Sequence, residues 1–216
     1  MPVSIATTNV VAVRLYWHPF SVFPRRVRIA LREKQVACEE VVVDLPGGAT
    51  HRPEFRRLNP FGQVPVLEDG ELVIYESLAI LEYLEERHPR PSLLAHGAAE
   101  RARTRQLMHA AGDYFAGPLK RWLARLFTPE ASWDRADQER ARDELARHLD
   151  VLEPMLERRA YLVDGFSLAD VAYAPFVCEL EACQLGELLG SRPATRAWID
   201  RLRARPSVRT TSPFSA

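Results

Sequence analysis

The stretch Asn59-Pro-Phe-Gly-Gln-Val-Pro-Val-Leu-Glu-Asp-Gly-Glu-Leu-Val-Ile-Tyr-Glu-Ser77 decides the fold. Val64–Leu67 and Leu72–Tyr75 are short apolar, β-branched runs, and the Asp69-Gly70 pair between them tolerates the positive φ angles of a tight turn. The two runs therefore read as a hairpin. From Glu76 to Arg87 the apolar residues Leu78, Ile80, Leu81 and Leu84 fall at helical spacing. Upstream, Val11–Trp17 reads as a strand, His18–Phe23 as a loop, and Pro24 as the opening of a helix over Arg25–Lys34, because proline in a first turn gives up a donor that has no partner there. Val36–Val43 is a second strand. Strand, helix and strand in that order imply a parallel, right-handed crossover. The order βαβ-α-ββα, with an irregular or helical link before the hairpin, predicts an α/β domain over residues 11–90 with a four-stranded mixed sheet.

The rest of the chain carries no strand signal. Pro89-Arg-Pro91 punctuates it as a linker, and an all-α helical domain is expected over residues 97–208. Its helices are read at Ala98–Leu126, bent at Pro118, then at Asp134–Arg159 and at Pro193–Arg203. Ser167-Leu-Ala-Asp170 is a capping box that opens a further helix.

Composition narrows the partners. The 216 residues are 47% apolar and 27% charged, and 29 basic residues balance 29 acidic ones. That balance gives no global pull toward nucleic acid or anionic membrane, so neither is expected as a partner. The cations are arginines apart from Lys34 and Lys120. No apolar run reaches the ~18–20 residues of a membrane span, and Met1–Val10 reads as a short leader without the features of a secretory signal. Cys38, Cys178 and Cys183 are odd in number and lack CxxC spacing, and the histidines are scattered, so neither a disulfide scaffold nor a metal site is expected. The expected setting is the cytoplasm.

Three features can carry chemistry. Ser21 stands between the first strand and the first helix, where its hydroxyl either donates to an anion such as a thiolate or satisfies the helix start. Pro65 follows a glycine-containing loop, and its peptide bond is either cis, which would expose the main chain of Val64, or the commoner trans. Ser77 lies at a strand-to-helix junction, where the free backbone N–H groups form a carboxylate site or an ordinary cap. Among the other polar residues, His18 reads as a loop histidine, Arg25 and Arg26 as a solvated helix face, and Asp170 as a cap of its own helix. The three cysteines read as packing residues.

Taken in order, His18-Pro-Phe-Ser-Val-Phe-Pro-Arg-Arg-Val27, Asn59-Pro-Phe-Gly-Gln-Val-Pro65, Tyr75-Glu-Ser-Leu-Ala-Ile80 and Phe166-Ser-Leu-Ala-Asp-Val-Ala-Tyr-Ala-Pro175 resemble the glutathione transferases, in particular the phi-like group of the serine-type enzymes. The resemblance runs from about Val11 to Val208. It implies a thioredoxin-like first domain and a mechanism for the tripeptide γ-Glu-Cys-Gly. Ser21 would donate its hydroxyl to the sulfur, and Val64 would pair with the cysteinyl main chain beside a cis Pro65. Glu76 and Ser77 would hold the γ-glutamyl end with support from Gln63. Near the glycyl carboxylate the family pattern offers His-Lys where this chain has Thr50-His51-Arg52, so His51 or Arg52 would be the cation. Phe20, Met108 and Tyr114 would line the pocket for a small hydrophobic electrophile. The implied activity is transfer of glutathione to that electrophile, by a homodimer and without a metal. Glutathione-dependent isomerisation, ether cleavage or dehalogenation is the neighbouring enzymatic reading, and a non-catalytic binding or regulatory scaffold is the reading from another class. No cysteine stands at position 21, which disfavours the thiol-dependent oxidoreductase branch.

Overall fold

The computed structural model describes residues 13–214, apart from the side chains at 126, 127 and 131. The leader read over Met1–Val10 and the first two positions of the strand expected from Val11 lie outside the described residues. In chain order the first half forms β1 (Val13–Trp17), α1 (Val22–Glu33), β2 (Cys38–Val42), a 3₁₀ turn (Ala49–His51), α2 (Pro53–Leu58), β3 (Val66–Asp69), β4 (Leu72–Tyr75) and α3 (Ser77–Arg87). The strands lie in the order β2-β1-β3-β4, with β1 and β2 parallel and the other neighbours antiparallel. This is the mixed four-stranded sheet expected from the sequence.

Two local details differ from expectation. Asp69 stays in the ladder opposite Leu72, so the hairpin turn is Gly70-Glu71, with Gly70 taking φ 64°. Helix α1 begins at Val22, with Ser21 as its N-cap, and Pro24 falls inside the first turn. A proline is tolerated there because the first four N–H groups of a helix have no internal partner.

Register positions everything that follows. Tyr16 pairs with Val66, Val66 pairs with Tyr75, and Trp17 pairs with Val42. The exits of β1, β2 and β4 and the approach to β3 therefore share one end of the sheet. Those four segments lead to or from Ser21, His51, Glu76-Ser77 and Val64-Pro65.

The helical half contains α4 (Ala98–Ala110), a π segment (Ala111–Ala116), α5 (Gly117–Leu123), a 3₁₀ turn (Ala124–Phe127), α6 (Arg135–Leu156), α7 (Leu168–Val177), α8 (Pro193–Ala204) and α9 (Pro206–Arg209). The bend expected at Pro118 takes the form of that π segment. Proline has no N–H and crowds the carbonyl four residues back, and a wider turn relieves both problems. Asp134 caps α6 by accepting from the Asp137 amide at 2.9 Å. The capping box of α7 is present, and Asp170 does more than close it. Its carboxylate also accepts from Trp198 Nε1 at 2.8 Å and from the Leu162 amide at 3.2 Å, tying α7 to α8. Burial pushes this carboxyl up to about 6 against the pull of those donors. Cys178 is the C-cap of α7 and Cys183 lies in the turn beyond it. Burial raises their thiols to about 12 and about 11, so both remain protonated at neutral pH. Four-residue α9 is too short for a periodic signal and was not anticipated. Among the described residues no helix is long and apolar enough to cross a membrane.

Helix α1 joins the two halves. Arg25 and Arg26, expected in solvent, are 4% and 1% exposed. Arg26 Nε donates to the carbonyl of Ala172 in α7 at 2.9 Å and Nη1 donates to Ser77 Oγ at 3.2 Å, with the guanidinium between the rings of Phe23 and Phe176. Burial lowers its pKa to about 10. The expectation fails because α1 is sandwiched between the sheet domain and α7, so its polar face is covered too. At the other end of α1, Lys34 Nζ is buried, 2.5 Å from Glu85 and donating to the carbonyls of His88 and Pro91 at 2.7 and 3.0 Å. That cluster fixes the Pro89-Arg-Pro91 linker, whose Arg90-Pro91 bond is cis.

In the helical core His148 Nε2 lies 2.7 Å from Tyr173 Oη, and the ring packs edge-on against Phe115. Burial lowers its pKa to about 4. The unfolded chain takes up this proton near 6.5 and the folded chain near 4, so His148 costs no stability above pH 6.5 and an increasing amount as the pH falls toward 4. Thermal unfolding of wild type and His148→Gln at pH 7 and pH 5 checks this. The variant should lose less of its midpoint between the two pH values, and an equal loss would remove His148 as the cause.

Candidate functional site

Ser21 takes an extended backbone (φ −89°, ψ 117°) at the start of α1, and its amide donates to the carbonyl of His18 at 3.0 Å. Its hydroxyl makes no capping bond and has no hydrogen-bond partner among the described residues. Of the two readings open at this position, the structure removes one: this oxygen is not occupied by the helix start. It lies at the positive end of a 12-residue helix. His18 is a loop residue whose Nδ1 accepts from the Phe20 amide at 3.3 Å.

The loop before β3 is built by Asn59. Its Nδ2 donates to the carbonyl of Gln63 at 2.8 Å, its Oδ1 accepts from the Phe61 amide at 3.0 Å, and its own carbonyl accepts from the Gly62 amide at 2.9 Å. Gly62 has φ 64°, and a Cβ there would come within 2.9 Å of the Thr50 carbonyl, so a side chain is excluded. The Val64-Pro65 peptide is cis. Val64 buries its side chain with Val43, Phe55 and Val66, while its N–H and C=O make no turn or loop hydrogen bond among the described residues. A main chain so placed beside a sheet can pair with an extended peptide. The side chain of Gln63 is exposed at the same end.

Glu76, rather than Ser77, is the N-cap of α3. It holds φ 70° and ψ 113°, a conformation that costs a non-glycine residue ~1–3 kcal/mol and concentrates at ligand sites. Its side chain is exposed. Ser77 is buried at the first helical position, its hydroxyl accepting from Arg26. Its neighbouring amides belong to a helix N-terminus, which favours a carboxylate. Arg26 was missed by the sequence reading because a charged side chain carries no signal of burial. At the exit of β2, His51 is exposed with Nδ1 3.5 Å from Arg56 Nη2, Arg52 is exposed with a side chain that has no hydrogen-bond or ion-pair partner among the described residues, and Thr50 is buried.

Ser21 opens onto a cavity of about 170 Å³ between the domains, lined by Phe20, Val22, Leu119, Leu123, Phe176 and Phe214 among others. Phe20 stands at its edge, 71% exposed. The other two residues expected to line an electrophile pocket are elsewhere. Met108 is fully packed in the core, and Tyr114 faces a separate hollow with Arg121, Glu144 and His148. Met108 joins Ala111, Phe115, Leu119 and Trp122 in one buried stripe on the core side of this segment, whereas Tyr114 falls on another face and is exposed. Leu123 and Phe176 lie on helices that were expected, whereas Phe214, beyond α9, gave no signal. A larger hollow of about 430 Å³ between α4 and α6 lies away from the sheet end and contains none of the candidates. Among the described residues no group of three His, Cys, Asp or Glu side chains is placed to hold a metal ion.

Comparison with known proteins bears on this arrangement. Residues 15–92 match the family model for the glutathione S-transferase N-terminal domain, and residues 113–206 match that for the C-terminal domain. The chain is 34% identical over 206 residues to glutathione S-transferase 3 of Zea mays, with 92% of each chain covered. It is 35% identical over 204 residues to a probable maleylacetoacetate isomerase of Vibrio cholerae, covering 92% of this chain and 93% of the relative. Among solved structures, a glutathione transferase of Pseudomonas putida with glutathione disulfide bound superposes with a TM-score of 0.85 at 25% identity, covering 93% of this chain and 90% of that one.

Proposed function

The chain belongs to the glutathione S-transferase family, and from that premise we propose how its own residues bind glutathione and ready the thiol for transfer. The observation that carries the proposal is the unpartnered hydroxyl of Ser21, at the positive end of α1 and on the wall of an apolar cavity. The free thiol of glutathione has a pKa near 8.5, and the thiolate is the nucleophile. A hydroxyl donating to sulfur favours the charged form, and a fall of about two units makes the thiolate predominant at pH 7. Ser21 keeps its own proton throughout. The tripeptide lies along the sheet end: the main chain of Val64, beside Pro65, pairs with the cysteinyl unit. Glu76 takes the γ-glutamyl ammonium, and the amides at Ser77 take its carboxylate with Gln63 alongside. His51 or Arg52 meets the glycyl carboxylate. The electrophile enters beside Phe20, against Leu119 and Phe176.

The proposal extends to a homodimer working in the cytoplasm. Phe61, Leu72 and Val73 are apolar yet 65%, 44% and 37% exposed, the last two on edge strand β4, and such an edge calls for a cover. The three cysteines are free thiols, as in a reducing compartment. Glutathione-dependent isomerisation is the second reading, favoured by the name of the Vibrio relative. It uses the same residues.

The test is retention on immobilised glutathione and turnover of 1-chloro-2,4-dinitrobenzene, on protein whose solution mass is measured alongside. Retention, conjugation with release of chloride, and twice the chain mass are expected. Retention with no turnover across a broad electrophile panel would favour the non-catalytic scaffold, and failure to bind glutathione would overturn the proposal.

A further inference from the structure

The charged groups of the cavity beside Ser21 form one ion pair, in which a single carboxylate oxygen is left without a partner among the described residues. Its charged lining residues are Arg25 and Glu179, whose Nη1 and Oε1 lie 2.6 Å apart. Arg25 is engaged at every nitrogen. Its Nε donates to Thr211 Oγ1 at 3.4 Å and its Nη2 to the Val208 carbonyl at 3.3 Å, and its side chain is 4% exposed. Glu179 is not fully engaged. Its Oε1 accepts from both Arg25 and Ser212 Oγ (2.9 Å), whereas Oε2 has no hydrogen-bond partner among the described residues and the side chain keeps 14% of its exposure. The cation is turned toward the tail that follows α8, and the free oxygen belongs to the anion. The remaining titratable group on the wall, the Cys183 thiol, is raised to about 11 by burial and contributes no charge.

We infer that Glu179 is a specificity-determining residue, which admits uncharged electrophiles to the Ser21 cavity and turns away carboxylated ones. The inference rests on the reading of this cavity as the place where electrophile meets thiolate. A carboxylate entering it would give up water, meet the free oxygen of Glu179 and approach a negatively charged sulfur. Arg25 offers little compensation, because each of its nitrogens already donates to Glu179 or to the tail and its side chain is 4% exposed. An uncharged aromatic ring meets none of these costs and gains contact with Phe20, Leu119 and Phe176.

Two electrophiles of nearly the same shape separate charge from size: 4-chloro-3,5-dinitrobenzoate and 4-chloro-3,5-dinitrobenzamide. In both, a sulfur–carbon bond forms at the ring carbon that loses chloride. Each kcat/KM is divided by the rate constant of the uncatalysed reaction with glutathione in the same buffer. In the wild type the amide should be accelerated at least ~10-fold more than the acid. In Glu179→Gln, which keeps an acceptor for Arg25 and Ser212, the acid-to-amide ratio should rise about 10-fold. Equal acceleration of acid and amide by the wild type overturns the inference whether or not the variant folds, and unchanged discrimination in a folded variant does the same. Loss of all turnover together with loss of retention on glutathione would instead overturn the reading of the cavity, and this inference with it.

Discussion

Ser21→Ala should lower kcat/KM for conjugation of 1-chloro-2,4-dinitrobenzene by ~10- to 1,000-fold at pH 7, the scale on which removing one anion-stabilising donor acts. Folding should be little affected, since the hydroxyl makes no capping bond at the start of α1. The pH profile separates this role from a general loss of fit. Without the donor, the bound thiol returns toward its ordinary value near 8.5, so the deficit should shrink as the pH is raised toward 9. A uniform deficit at all pH values would mean that the side chain shapes the cavity without stabilising the sulfur. An unchanged rate at pH 7 would remove Ser21 from the mechanism altogether.

The second large effect is on stability. Lys34→Met should cost about 3–5 kcal/mol, because it leaves the Glu85 carboxylate buried without its cation. Glu85 accepts from Ser92 Oγ at 2.7 Å and from the Leu93 amide at 3.0 Å, so one carboxylate organises the linker on the sheet side while Lys34 gathers its carbonyls. Burial pushes the Glu85 carboxyl up, but Lys34, Ser92 and the Leu93 amide outweigh it and hold the group below its ordinary value. In the wild type Glu85 therefore stabilises the fold above its unfolded pKa, and that contribution is lost as the pH falls through the lower folded value. Once Lys34 is gone, burial dominates and the sign reverses. The variant's deficit should be smaller at pH 5 than at pH 7, and adding Glu85→Gln should recover part of it. At pH 7 the unfolding midpoint should fall by on the order of 10 °C. A fall below about 2 °C would show that the pair contributes little.

The outline of the fold was legible because it rests on short-range chemistry. Hairpin, crossover and capping box each follow from residues a few positions apart, as Asp69-Gly70 and Ser167–Asp170 illustrate. The positions of Val64-Pro65 and Glu76-Ser77 at strand ends were legible for the same reason, but the residues alone left the Pro65 bond and the role of Ser77 open, and only the family resemblance assigned them. Side-chain surroundings were less accessible. Arg25 and Arg26 look like solvent residues until α7 and the tail close over them. Met108 and Tyr114 carry no local signal that separates core, cavity wall and open surface, and Phe214 reaches the cavity only through tertiary packing. The charged wall at Glu179 was invisible for that last reason.

Helix α1 carries Ser21, the proposed donor to sulfur, at its first residue boundary, contacts the helical domain through Arg26 and pins the linker through Lys34. On that proposal, one helix ties the reactive end of the sheet domain to both the helical domain and the linker. Any slackening between the two domains must shift that end, so reaction rate becomes a gauge of domain alignment, registering a loosened joint well before the chain as a whole gives way.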